Sequence, residues 1–489
     1  MSYTWGSPGK TKLIWLDGIP VEVRENLYQA LYHLRTESDR LLWADAICID
    51  QTDLDERRYQ VGLMDYIYDR AQCVLVWLGS ESHSPPFNRP GSGFLEMSTS
   101  GRWVCQNNYF TRLWIVQEIG LAKAVKICVG SVTWEWSEVI DCLSCTKSWE
   151  RNGRFMNNIH IKRNGRHGSS NRLETLLEDF QYTMCEEPRD KIYGFLGLAH
   201  DCQDGSIQAD YSKPLFELYY DVIRFFCRRR LLRDGSPNDV DRSMRVVRFS
   251  QLVQKPLGGL DHLPPFLRSD ELVQARGALA GHIVSLGPTF SEMISSSVAN
   301  KSWKLNFSDH YALPDDIEEL RKANEAYGID LLRMKDKKAL EFCCFCPTKS
   351  YSRATMAYEN WNGDENTWSY LARHTLDDDQ RASDPAKIKH PDDCQCQPRM
   401  FLGTNRIMGL APSWARKGDI ICQFWKTDVT ALLRKEGETE TYRVVGRLQL
   451  NTGSLRGLEP VYLEWIDPPS GAESVLIQMD IKTLCALTR

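Results

Sequence analysis

Residues 1–140 switch repeatedly between two hydrophobic periods, and that alternation restricts the fold more than any other feature of the chain. Lys12 to Leu16 and Ile19 to Val23 are apolar-rich runs on either side of Asp17-Gly18. Asp-Gly supplies the positive-φ positions of a tight turn, so these runs predict a β-hairpin. Leu27, Ala30, Leu31 and Leu34 then fall at helical spacing. Leu41 to Ile49 is short and apolar, as a strand buried on both faces would be. Asp53 or Asp55 is placed to cap a helix with a stripe at Val61, Met64, Ile67, Tyr68 and Ala71. Cys73 to Leu78 reads as another buried strand, closed by Gly79. Residues 81–102 carry turn residues, Phe110 to Ala122 reads as a helix and Val125 to Val129 as a strand. Strands alternating with helices predict an α/β fold with a parallel sheet and right-handed crossovers. Ligands of such sheets bind beyond the carboxyl ends of the strands. That places a candidate site among Ser2 to Gly6, Asp45 to Gln51, and the stretch from Gly79 to Glu118.

The rest of the 489 residues divides by composition. Residues 141–345 read as a mainly helical region, in which Asp190 is placed to cap a helix through Ile192, Phe195, Leu196 and Leu198. Residues 346–399 form an acidic polar linker or excursion, with Asp377 to Asp379 and Asp392-Asp393. Residues 400–489 recover strand-like runs at Met400 to Leu402, Ile420 to Phe424 and Tyr442 to Val445, beside Gly403, Gly409, Gly418 and Gly446, and predict a small β-rich module. Fifteen tryptophans argue for packed domains rather than disorder. A net charge of −5 gives no general nucleic-acid footprint. No run reaches the ~18 apolar residues of a membrane span. No secretory signal opens the chain, so it is expected to be cytoplasmic and its sixteen cysteines to be thiols. Cys343, Cys344 and Cys346, and His390, Cys394 and Cys396, lack the paired spacing of a zinc site, and no metal is expected.

Five ordered segments carry a family resemblance. Ser2-Tyr3-Thr4-Trp5-Gly6 resembles an SY-x-WG opening, and Trp43 to Gln51 a W-x-D-x-x-CI-[ND]-Q segment. Glu56-Arg57, Gln60-Val61, Met64, Ile67-Tyr68 and Ala71 fit an ER-x-x-QV-x-x-M-x-x-IY-x-x-A helix, followed by Val76 to Gly79. Phe110 to Glu118 resembles F-x-R-x-W-x-x-QE. Together they are similar to the fungal heterokaryon incompatibility (HET) domain over 1–140. Pro188 to Tyr193, Leu196 to Leu198, Phe401, Gly409 to Pro412 and Gly418-Asp419 extend the likeness more loosely. Members of that family carry residues ahead of the opening motif, so the first strand is expected to be truncated here.

The resemblance implies an effector of nonself recognition and programmed cell death. It also implies a TIR/flavodoxin-like sheet, since HET domains have been likened to TIR domains. In TIR NAD⁺ hydrolases the catalytic glutamate follows a tryptophan by four residues, the spacing of Trp114 and Glu118. That likeness makes Glu118 the catalytic candidate and NAD⁺ a substrate, with no cofactor required. It makes Trp5, Gly6, Asp45, Asp50, Gly79 and Trp114 the candidates for binding it. Read from the residues alone, each keeps a second role. Glu118 shares a helix face with Trp114, and a carboxylate on an apolar stripe is either paired or functional. Arg112, six residues away, is off-spacing on a continuous helix and is not expected to be its partner. Trp5 is a stacking platform or a core residue, Asp45 and Asp50 ribose ligands or turn residues, and Gly6 and Gly79 close-approach turns.

No G-x-G-x-x-G or P-loop follows a strand, and no G-x-S-x-G or H-E-x-x-H occurs. Cys48 lies in an apolar run and His33 stands alone, so neither is a candidate nucleophile or ligand. A homo-oligomer through residues 1–140 is expected. The rival readings are a non-enzymatic, self-assembling signalling module with an unidentified protein partner, and an inactive truncated paralogue.

Overall fold

A computed structural model describes residues 1–80, 103, 104, 106–145, 151–166, 168, 170–228, 239–258, 272–289, 399–404, 408–437, 441–450 and 472–488. These divide into two compact units, one within 1–225 and 256–258, the other within 226–255 and 259–489. The cysteine groups at 343–346 and 394–396, with His390, lie outside the described residues, as do 81–100.

The first unit opens with strand β1 (Ser2–Tyr3) and the hairpin β2 (Thr11–Leu16) and β3 (Ile19–Arg24). Asp17 and Gly18 both hold positive φ, 48° and 81°, as the turn requires. Helices α1 (Glu25–His33), α2 (Asp45–Cys48) and α3 (Leu54–Arg70) follow, then β4 (Val74–Trp77). The Asp53 carboxylate caps α3 by accepting from the Asp55 and Glu56 amides. Next come α4 (Ile115–Gly120), β5 (Val125–Val129) and β6 (Val132–Glu135). The sheet order is β1-β4-β5-β6, parallel across β1, β4 and β5 and antiparallel at β6. Val74, Val76 and Trp77 are buried, as expected of a central strand. Leu27 and Ala30 of α1 pack with Tyr3, Val23 and Trp77. Ile115, Val116 and Ile119 of α4 are buried as well.

The apolar run Leu41 to Ile49 is not a strand, contrary to expectation. Ala44 is extended, but Asp45 turns the chain into α2. Leu41 is fully exposed, so the run does not have the two buried faces of a central strand. Helices α5 (Trp136–Cys145), α6 (Arg151–Asn164), α7 (Leu173–Asp179), α8 (Asp190–Leu196) and α9 (Leu215–Arg228) continue the chain, and α9 runs to the boundary of the unit.

The second unit contains most of α10 (Asp239–Leu257), up to Lys255, and strands β7 (Leu272–Thr289), β8 (Arg399–Gly403), β9 (Met408–Ala411), β10 (Ile420–Gln423), β11 (Thr430–Lys435), β12 (Tyr442–Leu450) and β13 (Ser474–Asp480), and ends in α11 (Ile481–Thr488). The strands form an antiparallel sheet ordered β10-β11-β12-β9-β8-β7-β13, and a further β10–β7 pairing closes six of them into a ring. Closure leaves few free edges. Ile283, Phe401, Ile421, Leu432, Val445 and Leu448 fill the core. Asp419, 4% exposed, accepts from Arg434 Nε and Nη2, both at 2.8 Å, and from the Arg416 amide at 2.7 Å. Strand β7 lies in the stretch read from sequence as mainly helical. Its opening residues alternate, Leu272 and Gln274 outward and Val273 and Ala275 inward.

Candidate functional site

Glu118 sits in the first turn of α4 and is 3% exposed. The Ser2 hydroxyl, brought from β1, donates to Glu118 Oε2 and shares a hydrogen bond with the Tyr109 hydroxyl. Arg112 Nη2 lies 3.7 Å from Glu118 Oε1. That contact overturns the expectation that Arg112 is out of reach. No continuous helix runs from 110 to 122. Asn108–Thr111 form a 3₁₀ turn capped by the Asn107 side chain, which accepts from the Tyr109 amide at 2.9 Å. Arg112 is then extended, with φ −74° and ψ 140°. The Leu113 amide donates to Met184 O (2.9 Å) and the Met184 amide to Thr111 O (2.6 Å), which fixes the break. Helical spacing therefore does not govern the 112–118 pair, although it does govern 114–118, where the Glu118 amide donates to Trp114 O at 3.0 Å.

Burial pushes the Glu118 carboxyl above its usual range, against the pull of Arg112 and the Ser2 hydrogen bond. The phenols of Tyr3, Tyr68 and Tyr109 are also pushed up, chiefly by burial, and so remain neutral. Tyr68 Oη donates to Met1 O at 3.4 Å. The Tyr3 hydroxyl lies near the Asp45 carboxylate, which adds to the rise in its pKa, whereas Arg112 Nη1 is buried with no hydrogen-bond partner among the described residues. Buried polar groups are nearly always satisfied, so a carboxylate with one loose ion pair to a guanidinium that keeps an idle donor is unusual for a purely structural site.

The remaining candidates fall in four places. Trp5, Gly6 and Asp45 meet just past the carboxyl end of β1. Trp5 Nε1 donates to Asp45 Oδ2 at 2.8 Å, and the Arg24 guanidinium lies 5.0 Å from the centroid of the Trp5 ring. Gly6 has φ +73°, and a Cβ there would meet Asn26 Cβ at 3.3 Å. Gly79, φ +121°, follows β4, where its carbonyl accepts from the Gly130 amide at 2.9 Å. Asp50 is exposed and is not brought to Glu118. Its carboxylate accepts from the Thr52 hydroxyl (2.6 Å) and amide (2.9 Å), which hold it below the usual carboxylate range.

Trp114 faces a second buried carboxylate. Its Nε1 donates to Asp190 Oδ2 at 3.1 Å, and the Tyr211 hydroxyl donates to Asp190 Oδ1 at 2.8 Å. Asp190 is thus not the cap of α8. It is the first residue of that helix, which has no side-chain cap, and its carboxylate turns inward. Burial raises its pKa to about 6. Tyr109 and Arg112 are candidate-site residues that spacing arguments missed, whereas Ser2 falls in the Ser2 to Gly6 stretch expected at the site. Ser2 and Arg112 lie inside recognisable motifs, but β1 brings Ser2 to Glu118 and the helix break brings Arg112.

Residues 1–118 match the family model described as Heterokaryon incompatibility protein (HET), a span that ends on Glu118 itself. The chain carries a HET domain. It is also similar to Heterokaryon incompatibility protein 6, OR allele, of Neurospora crassa, with 40% identity over 346 residues. That match takes in 52% of this chain and 50% of the other, so the chain spans about half the length of the curated relative it matches. No solved structure matches the chain. The HET match stops at 118, but its last residues are held from outside it, Leu113 by Met184 and Trp114 by Asp190. Among the described residues no group of His, Cys, Asp or Glu is placed to hold a metal ion. No helix among them is long and apolar enough to cross a membrane.

Proposed function

We propose that the chain acts in fungal nonself recognition and cell death through its HET domain, by TIR-like cleavage of NAD⁺ with Glu118 as the catalytic carboxylate. The name of the Neurospora relative supports the first part. The observation that carries the second is the Glu118 network, a buried carboxylate at a parallel sheet held by the Ser2 hydroxyl and one loose ion pair to Arg112, whose Nη1 is left unpartnered among the described residues. In the proposed step the bond between ribose C1′ and nicotinamide nitrogen breaks, and its electron pair leaves with neutral nicotinamide. Positive charge develops on the ribose, and a carboxylate in a dry site stabilises it. Water then attacks C1′ and releases a proton. Trp5 and Asp45, past the end of β1, would hold the base and ribose.

A second reading, a non-enzymatic assembly module, is favoured by the 3% exposure of Glu118. A ribose reaches that carboxylate only after Ser2 gives it up, so cleavage depends on assembly opening the site. Nicotinamide release from NAD⁺ at high protein concentration separates the two readings. Release by the wild type that vanishes in a folded Glu118→Ala variant supports cleavage. No release by the wild type, with cell death surviving Glu118→Ala in the fungus, selects the module.

A further inference from the structure

On the β2–β3 hairpin Leu13 and Trp15, on one face of β2, are 57% and 69% exposed, and Ile19 beside the turn is 64% exposed. The inner face is accounted for, since Ile14, Val21 and Val23 join the core that holds Leu27 and Trp77. The outer face and one edge are not. Lys10 O accepts from the Glu25 amide at 2.9 Å, and the register continues through Lys12↔Val23, Ile14↔Val21 and Leu16↔Ile19. Antiparallel pairs alternate between hydrogen-bonded and non-bonded, so Lys12, Ile14 and Leu16 spend their backbone groups inside the hairpin. Thr11, Leu13 and Trp15 point theirs outward from β2. On β3 the outward positions include Pro20, which has no amide hydrogen and blunts that edge. The β2 edge has no such block, and Leu13 and Trp15 have no backbone partner there among the described residues.

We propose that this open edge pairs with β2 of a second copy of the chain, antiparallel about Ile14, to make a four-stranded sheet across a twofold axis. The proposal specifies a surface for the self-assembly reading above and is independent of NAD⁺ cleavage. Three features favour a second copy. Antiparallel pairing about Ile14 sets Leu13 opposite Trp15 in both directions, an aliphatic–aromatic cross-strand pair made twice. The same register sets Asp17 of one copy opposite Thr11 of the other, between Lys10 and Lys12. Lys10 already lies 4.0 Å from Glu25, so Lys12 carries most of that complementarity. Like charges do not meet, because Lys12 falls opposite Leu16. Twofold closure then uses up both open edges and leaves only those guarded by Pro20, so the assembly stops at two.

Sedimentation of the full chain across micromolar concentrations tests this. The wild type is expected to pass from monomer to dimer as concentration rises. Leu13→Pro removes only an outward amide, and Trp15→Lys sets two cations against aliphatic neighbours. Each variant is expected to stay monomeric at concentrations where the wild type is dimeric, with an unchanged circular dichroism spectrum. Lys12→Glu is expected to weaken the dimer several-fold, most clearly at low salt. A wild type monomeric throughout, or a dimer that both Leu13→Pro and Trp15→Lys leave intact, overturns the proposal. Nicotinamide release, measured separately, bears on the cleavage reading alone.

Discussion

The two units bury acidic side chains in opposite ways. Asp419 in the second unit receives two parallel bonds from Arg434 and a third from a backbone amide, so both of its oxygens are engaged. Glu118 in the first unit has a guanidinium 3.7 Å away, a hydroxyl and a raised pKa, and Nη1 of that guanidinium is unpartnered among the described residues. Bidentate pairing is what a carboxylate needs when its task is to hold strands together. A carboxylate left short of partners contributes less to the fold and remains available for another charge. The same antiparallel ring that satisfies Asp419 closes its own edges, whereas the first unit keeps an open strand edge beside its sheet.

Removing the acids should expose the contrast most strongly at Asp419. Asp419→Ala leaves the half-buried Arg434 without its carboxylate, keeping only the bond to Trp414 O, and about 3 kcal/mol of stability should be lost from the second unit, as denaturant unfolding would show. A loss under 1 kcal/mol would place Asp419 in the same class as Glu118. Asp190 sharpens the comparison within the first unit. Its pKa is raised from 3.8 to about 6, so its stabilising contribution is full below its ordinary range and is lost as pH rises through about 6. A tenfold change in proton affinity is worth about 1.4 kcal/mol, so the first unit should lose on the order of 3 kcal/mol between about pH 4 and about pH 8 from this group. Asp190→Asn, which can still accept from Trp114, should flatten that dependence in thermal unfolding followed against pH. An unchanged slope would remove Asp190 as its source. Arg112→Met should cost the least, about 1 kcal/mol, because Glu118 can take up a proton in place of its partner. A cost of 3 kcal/mol or more would show a tight structural pair instead.

How much of this was legible in the sequence depended on whether local pattern controlled the outcome. The Asp17-Gly18 hairpin, the Asp53 cap and strand β5 follow from turn chemistry, capping and apolar runs, and appear where expected. Leu41 to Ile49 failed because an apolar run does not reveal which of its residues face solvent. The 112–118 contact failed because a helix read as continuous is broken by a pairing with Met184, more than sixty residues on, and no local period reports such a contact. Asp190 failed for the same kind of reason, since its indole partner comes from another segment. Strand β7 was not read from the sequence, because its glycine and alanine content obscures the alternation that Val273 and Ala275 begin.

The most direct test of Glu118 as a functional rather than a structural carboxylate is the local stability of full-length Glu118→Gln. Hydrogen exchange of the β4 and β5 amides at neutral pH reads it. Gln keeps the shape and an acceptor for Ser2 while removing a charge that burial disfavours. Protection in these strands should therefore stay within about 1 kcal/mol of the wild type or exceed it. A loss of protection matching the effect expected for Asp419→Ala in its own unit would contradict a functional role and make Glu118 a part of the scaffold.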